Sequence, residues 1–347
     1  MRRYKKLVGA VAVVAGVVIG VVAQPAPVGA ATYRKPLASF AVPNPGVIYD
    51  ASRWVVLSTG GWDTAGHIAT AAGAAGPWRK DATHHLLTKR PAWASKTDHS
   101  VWAPSIVKVG TGHYVVYYAA VVLGQKSARC IGSGSGSSPT GPFIPSDRAL
   151  ACYKRSGANA YDTIATEGAN FGLIDPTPAR VGSHLLLTYK TQFLRSDKQW
   201  HTTIRMVELN SADPTMTAAN PIHAGGGSVQ LTNRVNKYIE ENPVLVQHGS
   251  TFTLFTSYGW YGTCVYSTRY RQNASLWHNW LAKASHALPM PKHNTCGSGN
   301  AQVVRGPSSG PWRIFFNGHM TGPHTPFGLY AGTVTWSSGT PEVGRLY

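Results

Sequence analysis

Apolar side chains recur along this chain in short alternating runs, without helical stripes. Trp54-Val55-Val56-Leu57, Tyr114-Val115-Val116-Tyr117-Tyr118, Leu185-Leu186-Leu187-Thr188-Tyr189, Phe252-Thr253-Leu254-Phe255 and Trp312-Arg313-Ile314-Phe315-Phe316 each follow a turn. Ahead of each turn stands a second phrase: Asn44-Pro45-Gly46-Val47-Ile48, Ala103-Pro104-Ser105-Ile106-Val107, Asp175-Pro176-Thr177-Pro178-Ala179, Asn242-Pro243-Val244-Leu245-Val246 and, more weakly, Ala301-Gln302-Val303-Val304. Strand, turn, strand at a period above about forty residues marks propeller blades. The pattern predicts an all-β chain, a five-bladed β-propeller with blades at roughly 44–95, 98–155, 171–220, 239–290 and 298–345. A shorter repeat agrees: Ile68 to Gly76-Pro77-Trp78 matches Ile131 to Gly141-Pro142-Phe143, each a third strand running into a turn that docks an aromatic. The Gly/Ser run at 132–138 lacks the Lys-Ser/Thr and the helix of a phosphate loop, so it too reads as strand and turn.

The first thirty residues have a different pattern. Arg2, Arg3, Lys5 and Lys6 precede an apolar run from Leu7 to Ala23, and small residues follow at Val28-Gly29-Ala30. This is the order of a secretory signal peptide over 1–30, cleaved after Ala30; an uncleaved anchor is the competing reading. Residues 31–347 then form one propeller domain, a secreted, extracellular monomer without a membrane span after cleavage.

Composition narrows the partners. Net charge is +18, or +14 without the four basic residues of the leader, so the mature chain is drawn to anionic surfaces such as an acidic cell-wall polymer. The basic residues are scattered and the chain is exported, which argues against nucleic acid. Four cysteines in an exported chain suggest two disulfides. Spacing favours Cys130–Cys152 and Cys264–Cys296, with the other two connectivities open. The fourteen histidines show no ligand spacing and no nucleophile stands with a base in a familiar order, so a zinc site or a metal cofactor is not expected.

The first strand of each blade lines the axis of such a ring, so residues beside the repeated prolines converge. Two are carboxylates, Asp175 and Glu241, in a chain with only 14 acidic residues. Separately, Asp175 reads as an Asx turn and Glu241 as a solvated strand end; together, at blade starts, they read as an acid–base pair. Glu240 should face away from its neighbour because side chains alternate along a strand.

Val101-Trp102-Ala103-Pro104, Ile174-Asp175-Pro176, Ile239-Glu240-Glu241-Asn242-Pro243, Leu254 to Gly262 and the two Gly-Pro-aromatic turns resemble glycoside hydrolase family 43 over essentially all of residues 31–347. That resemblance implies a five-bladed propeller that hydrolyses arabinofuranosides or xylosides of plant-type polysaccharide with inversion. By position it makes Glu241 the general acid and Asp175 the carboxylate that raises the acid's pKa and orients substrate. The chain departs from the family at Asn44, where the resemblance implies an aspartate base; an amide cannot take a proton from water. Asp98 and Asp63 are then substitute bases, and the alternative is a carbohydrate-binding propeller that has lost hydrolysis. Asn300 stands where arabinan-cleaving relatives carry a histidine, which argues against a channel Ca²⁺, and Pro326 to Tyr330 lacks an expected arginine. Trp62, Trp102, Phe171, Trp260 and Tyr261 are candidates for stacking on sugar, as against packing between blades.

Overall fold

The computed structural model describes residues 33–153, 160–162, 169–218, 228–306 and 310–347; the predicted signal peptide lies outside them. No helix among the described residues is long and apolar enough to cross a membrane. Five antiparallel four-stranded meanders follow one another. Blade one is Gly46–Asp50, Arg53–Leu57, Ile68–Ala71 and Arg79–Asp81. Blade two is Ser100–Gly110, His113–Val121, Arg129–Gly136 and Ile144–Pro145. Blade three is Ala169–Val181, His184–Leu194, Trp200–Glu208 and Val229–Gln230. Blade four is Ile239–His248, Thr251–Gly259, Ser267–Asn273 and His286–Ala287; blade five is Cys296–Arg305, Trp312–His319, Phe327–Ser337 and Thr340–Leu346. Blade three extends beyond its expected end at 220, because its outer strand pairs only after residue 228.

The alternation that predicted the strands also explains how the blades associate. Neighbouring side chains of a strand point to opposite faces, and here each face meets a different blade. Leu185 and Leu187 join Val115 and Tyr117 of blade two, whereas Leu186 joins Leu245 and Leu254 of blade four. Val55 and Leu57 pack on blade two, whereas Trp54 and Val56 pack on Phe315 and Leu329 of blade five. Val244 and Phe255 complete the ring against Val303 and Phe316. The apolar core is therefore five interfaces, and each second strand is buried on both sides.

The ring closes through the chain's two ends. The Leu37 and Val42 amides donate to Leu329 and Phe327 of blade five at 2.8 and 2.9 Å, and the Tyr347 amide donates to Ala331 at 3.0 Å. Between blades two and three, the third strand of one meets the first strand of the next at Arg129 and Gly172. A Cβ at Gly172 would lie 2.7 Å from the Arg129 amide nitrogen, so this approach requires glycine.

Both favoured disulfides are present, Cys130–Cys152 and Cys264–Cys296. The second bridges a blade-four loop to the start of blade five. Replacing Cys130 and Cys152 together by Ser is expected to cost ~3 kcal/mol, since the bridge closes a loop of 22 residues. Urea unfolding of the two forms measures it, and a difference under about 1 kcal/mol refutes it.

Candidate active site

The residue before the proline of each repeat has a left-handed backbone. Its φ is 50° at Asn44, 45° at Ala103, 57° at Asp175 and 51° at Asn242, and Asn300 before Ala301 matches at 52°. Asn and Asp tolerate this region best among residues with side chains, and Ala103 occupies it at a cost of about 1 kcal/mol. The following proline has no N–H for the ladder, and in blades two to five the first strand loses register there. All five residues border a narrow axial neck of about 10 Å³, room for one water.

Side chains of the preceding blade hold four of the five amides. The Ala103 N–H donates to Thr59 Oγ1 (2.9 Å), Asn242 to Asp175 Oδ2 (3.2 Å), Asn300 to Ser257 Oγ (2.8 Å) and Asn44 to Asn317 Oδ1 (2.8 Å). Ser257 and Asn317 occupy matching places on second strands, opposite Glu241 and Gly299. In blade three that place, opposite Ile174, is Lys190. Its ammonium is 1% exposed and donates to Glu241 Oε2 of the next blade at 2.6 Å.

Above the neck opens a cavity of about 530 Å³. Asn44, Asp175, Lys190, Glu241, Asn242 and Asn300 line its polar part, and Trp102, Phe171, Trp200, Trp260, Tyr261 and Phe327 its aromatic wall. Trp260 and Tyr261 stand with ring centroids 4.8 Å apart. Arg129 borders the cavity with its guanidinium 3.6 Å from the centre of the Trp102 ring.

The two carboxylates differ in environment. Glu241 accepts from Lys190 on Oε2 and from the Tyr266 hydroxyl on Oε1 (2.7 Å), so both oxygens act as acceptors, the pattern of the ionised group. Burial pushes the Asp175 carboxyl up to about 7 and the neighbouring Glu241 charge adds to this, against the opposing pull of Lys190 and the Asn242 amide. Burial, with the Glu241 charge behind it, also holds the Tyr266 phenol well above its ordinary value, so it remains a neutral donor. The Tyr266 hydroxyl also lies 2.6 Å from Asn300 Oδ1 and accepts from Asn242 at 2.9 Å, which ties blades four and five beneath the cavity.

Asn44, Asp175, Glu241, Asn300, Trp102, Phe171, Trp260 and Tyr261 thus converge on one cavity, while Asp98, Asp63 and Trp62 are not among its lining residues. Asp98 accepts from the Ser100 amide (2.8 Å) and lies 3.8 Å from Arg129, holding the start of blade two. Asp63 is paired to His99 at 2.7 Å, and Trp62 packs against the core between blades one and two. Glu240 does face away, buried between Arg271 and Arg234. Among the described cavity-lining residues the carboxylates are Asp175 and Glu241. Lys190, Tyr266 and Arg129 were not anticipated from sequence. Aligning the second strands blade against blade would have set Lys190 beside Ser257 and Asn317.

The neck does not suit Ca²⁺, which takes six to eight oxygen ligands. It offers one carboxyl, already bonded to the Asn242 amide and pushed up to about 7, and the Asn300 amide oxygen already accepts from Asn242.

No protein-family model and no curated protein matches the chain. Solved structures do. A thermostable family-43 glycoside hydrolase superposes with a TM-score of 0.69 at 16% identity, covering 91% of this chain and 97% of the other. The α-L-arabinanase of Cellvibrio cellulosa, complexed with arabinohexaose, gives 0.63 at 16% identity over 88% and 96%. An endo-1,4-β-xylanase from Bacteroides thetaiotaomicron gives 0.61 at 16% identity over 88% and 95%. The fold of this chain is that of the family-43 propellers.

Proposed function

We propose that this chain, built on the family-43 glycoside hydrolase fold, is an exported glycoside hydrolase acting on arabinose- or xylose-containing polysaccharide. The observation that carries the reading is the pair of buried carboxylates, Asp175 and Glu241, offered by adjacent blades to an aromatic-walled cavity. Aromatic faces suit the C–H faces of sugar rings, and the arabinanase and xylanase among the fold's neighbours support a pentose substrate. The signal-like N-terminus and two disulfides support export.

In this reading the two carboxyls exchange the roles that the family resemblance implies for them. Two carboxyls held in different environments can serve as acid and base. Asp175 holds a proton to about pH 7 and delivers it to the leaving glycosidic oxygen. Glu241, whose oxygens accept from Lys190 and Tyr266, takes a proton from the water that attacks the anomeric carbon. The C–O bond breaks as the water oxygen bonds to the sugar, and solvent returns the proton from Glu241 to Asp175.

Asn44 favours a second reading, a propeller that grips sugar without cutting it. Its side chain donates to Thr59 Oγ1 at 2.9 Å and supplies no base. Sugar release from arabinan, arabinoxylan and aryl pentosides by the natural protein, Glu241→Gln and Asn44→Asp separates the two. Cleavage by the natural protein that Glu241→Gln abolishes establishes the hydrolase. Cleavage by Asn44→Asp alone establishes the binder, and saccharide binding with no cleavage by any form does the same.

A further inference from the structure

One cation bordering the cavity takes no part in the proposed reaction. Lys190 is committed to Glu241, and Asp175 is uncharged over most of the acid range. Arg129 remains. It is 7% exposed, borders the cavity, and its Nη2 donates to Ser100 Oγ at 3.1 Å. Its ion-pair partner, Asp98 Oδ2, lies 3.8 Å from Nη2, beyond hydrogen-bonding distance. Nη1 is buried with no hydrogen-bond partner among the described residues. An unpaired donor on a buried cation is costly, and such groups call for an explanation. The strand joint at Gly172 fixes the Arg129 backbone, and the Trp102 ring covers one face of the guanidinium. The planar fork is thereby set for a planar anion beside a ring on which a sugar can stack.

Resting on the glycosidase reading, we infer that Arg129 and Trp102 form a subsite for a carboxylate-bearing sugar, so that the preferred substrate is a uronic-acid-substituted pentose polysaccharide. Trp102 meets the ring face of the acidic sugar and Arg129 pairs with its carboxylate. The net charge of +18 draws such a polyanion to the surface without specifying where it binds.

The test is titration calorimetry at pH 6 with xylo-oligosaccharides carrying one glucuronic acid, set beside the same oligosaccharides with that carboxyl reduced to the alcohol. The acidic form is expected to bind at least tenfold tighter, and Arg129→Gln to reduce the preference to under twofold. Arg129→Lys, which keeps the charge without the fork, is expected to fall between and serves if Arg129→Gln fails to fold. Equal binding of the two oligosaccharides overturns the inference and leaves the glycosidase reading standing. A preference that survives Arg129→Gln and disappears in 0.5 M salt also overturns it, as diffuse surface attraction. Failure of both oligosaccharides to bind overturns the inference together with the reading beneath it.

Discussion

Exchanging Asp175 for Asn is expected to cut sugar release by roughly 10²–10⁴-fold, the usual contribution of a general acid, while making the fold more stable above pH 7. The carboxyl is 6% exposed, and burial beside Glu241 raises it from the ordinary 3.8 to about 7. Between those values the folded protein keeps a proton that the unfolded chain releases. Its contribution to stability is therefore complete below pH 3.8, falls as pH rises, and is gone once pH passes about 7. Asparagine keeps the shape, and its oxygen still accepts from the Asn242 amide, but it has no charge to desolvate. Urea unfolding should show little difference from the natural protein near pH 4 and a gain on the order of 2 kcal/mol at pH 8. Activity of the natural protein should decline through pH 7 as the acid deprotonates. A variant that cleaves normally, or whose stability follows the natural protein at both pH values, removes Asp175 from this role.

Lys190→Met should have the largest structural effect. Breaking a buried ion pair by removing one partner costs about 3–5 kcal/mol, because the charge that remains has lost both water and its counterion. Here the remaining charge is Glu241, left with the Tyr266 hydroxyl alone. The loss should be measured at pH 8 and again at pH 4. Combining Lys190→Met with Glu241→Gln should restore most of the stability, since neither member of the pair then carries a charge. Equilibrium unfolding of the four proteins at both pH values gives the coupling directly. A single variant within about 1 kcal/mol of the natural protein, or a double variant no better than the single, rules out the pair as a mainstay of the blade-three to blade-four joint.

The sequence displayed the ring more clearly than the chemistry inside it. The Asn-Pro and Asp-Pro phrases were legible because the bend at the neck demands a residue at ease with positive φ beside one that cannot donate, and few residue types satisfy both. The blades were legible because each alternating run has to face two neighbours. Lys190 was not, because a lysine ending Leu185 to Tyr189 looks like the solvent-facing end of a strand; only the wedge between blades three and four makes it internal. Arg129 was hidden for the same reason, its cavity being formed by residues more than forty positions further along as well as by its own blade. Asp63, Asp98 and Trp62 lie within a few residues of the axis-lining strands, yet proximity in sequence does not say which end of a blade a loop caps. Asp98 caps a strand and Asp63 pairs with His99, and neither is among the residues lining the cavity.

The five left-handed positions around the neck share one backbone shape, and so they are interchangeable seats at a single table. Asp175, Asn242 and Ala103 show a carboxylate, an amide and a methyl group each seated on the same backbone shape. Which side chain sits at each seat, rather than the backbone, then sets what the neck presents to the cavity above it.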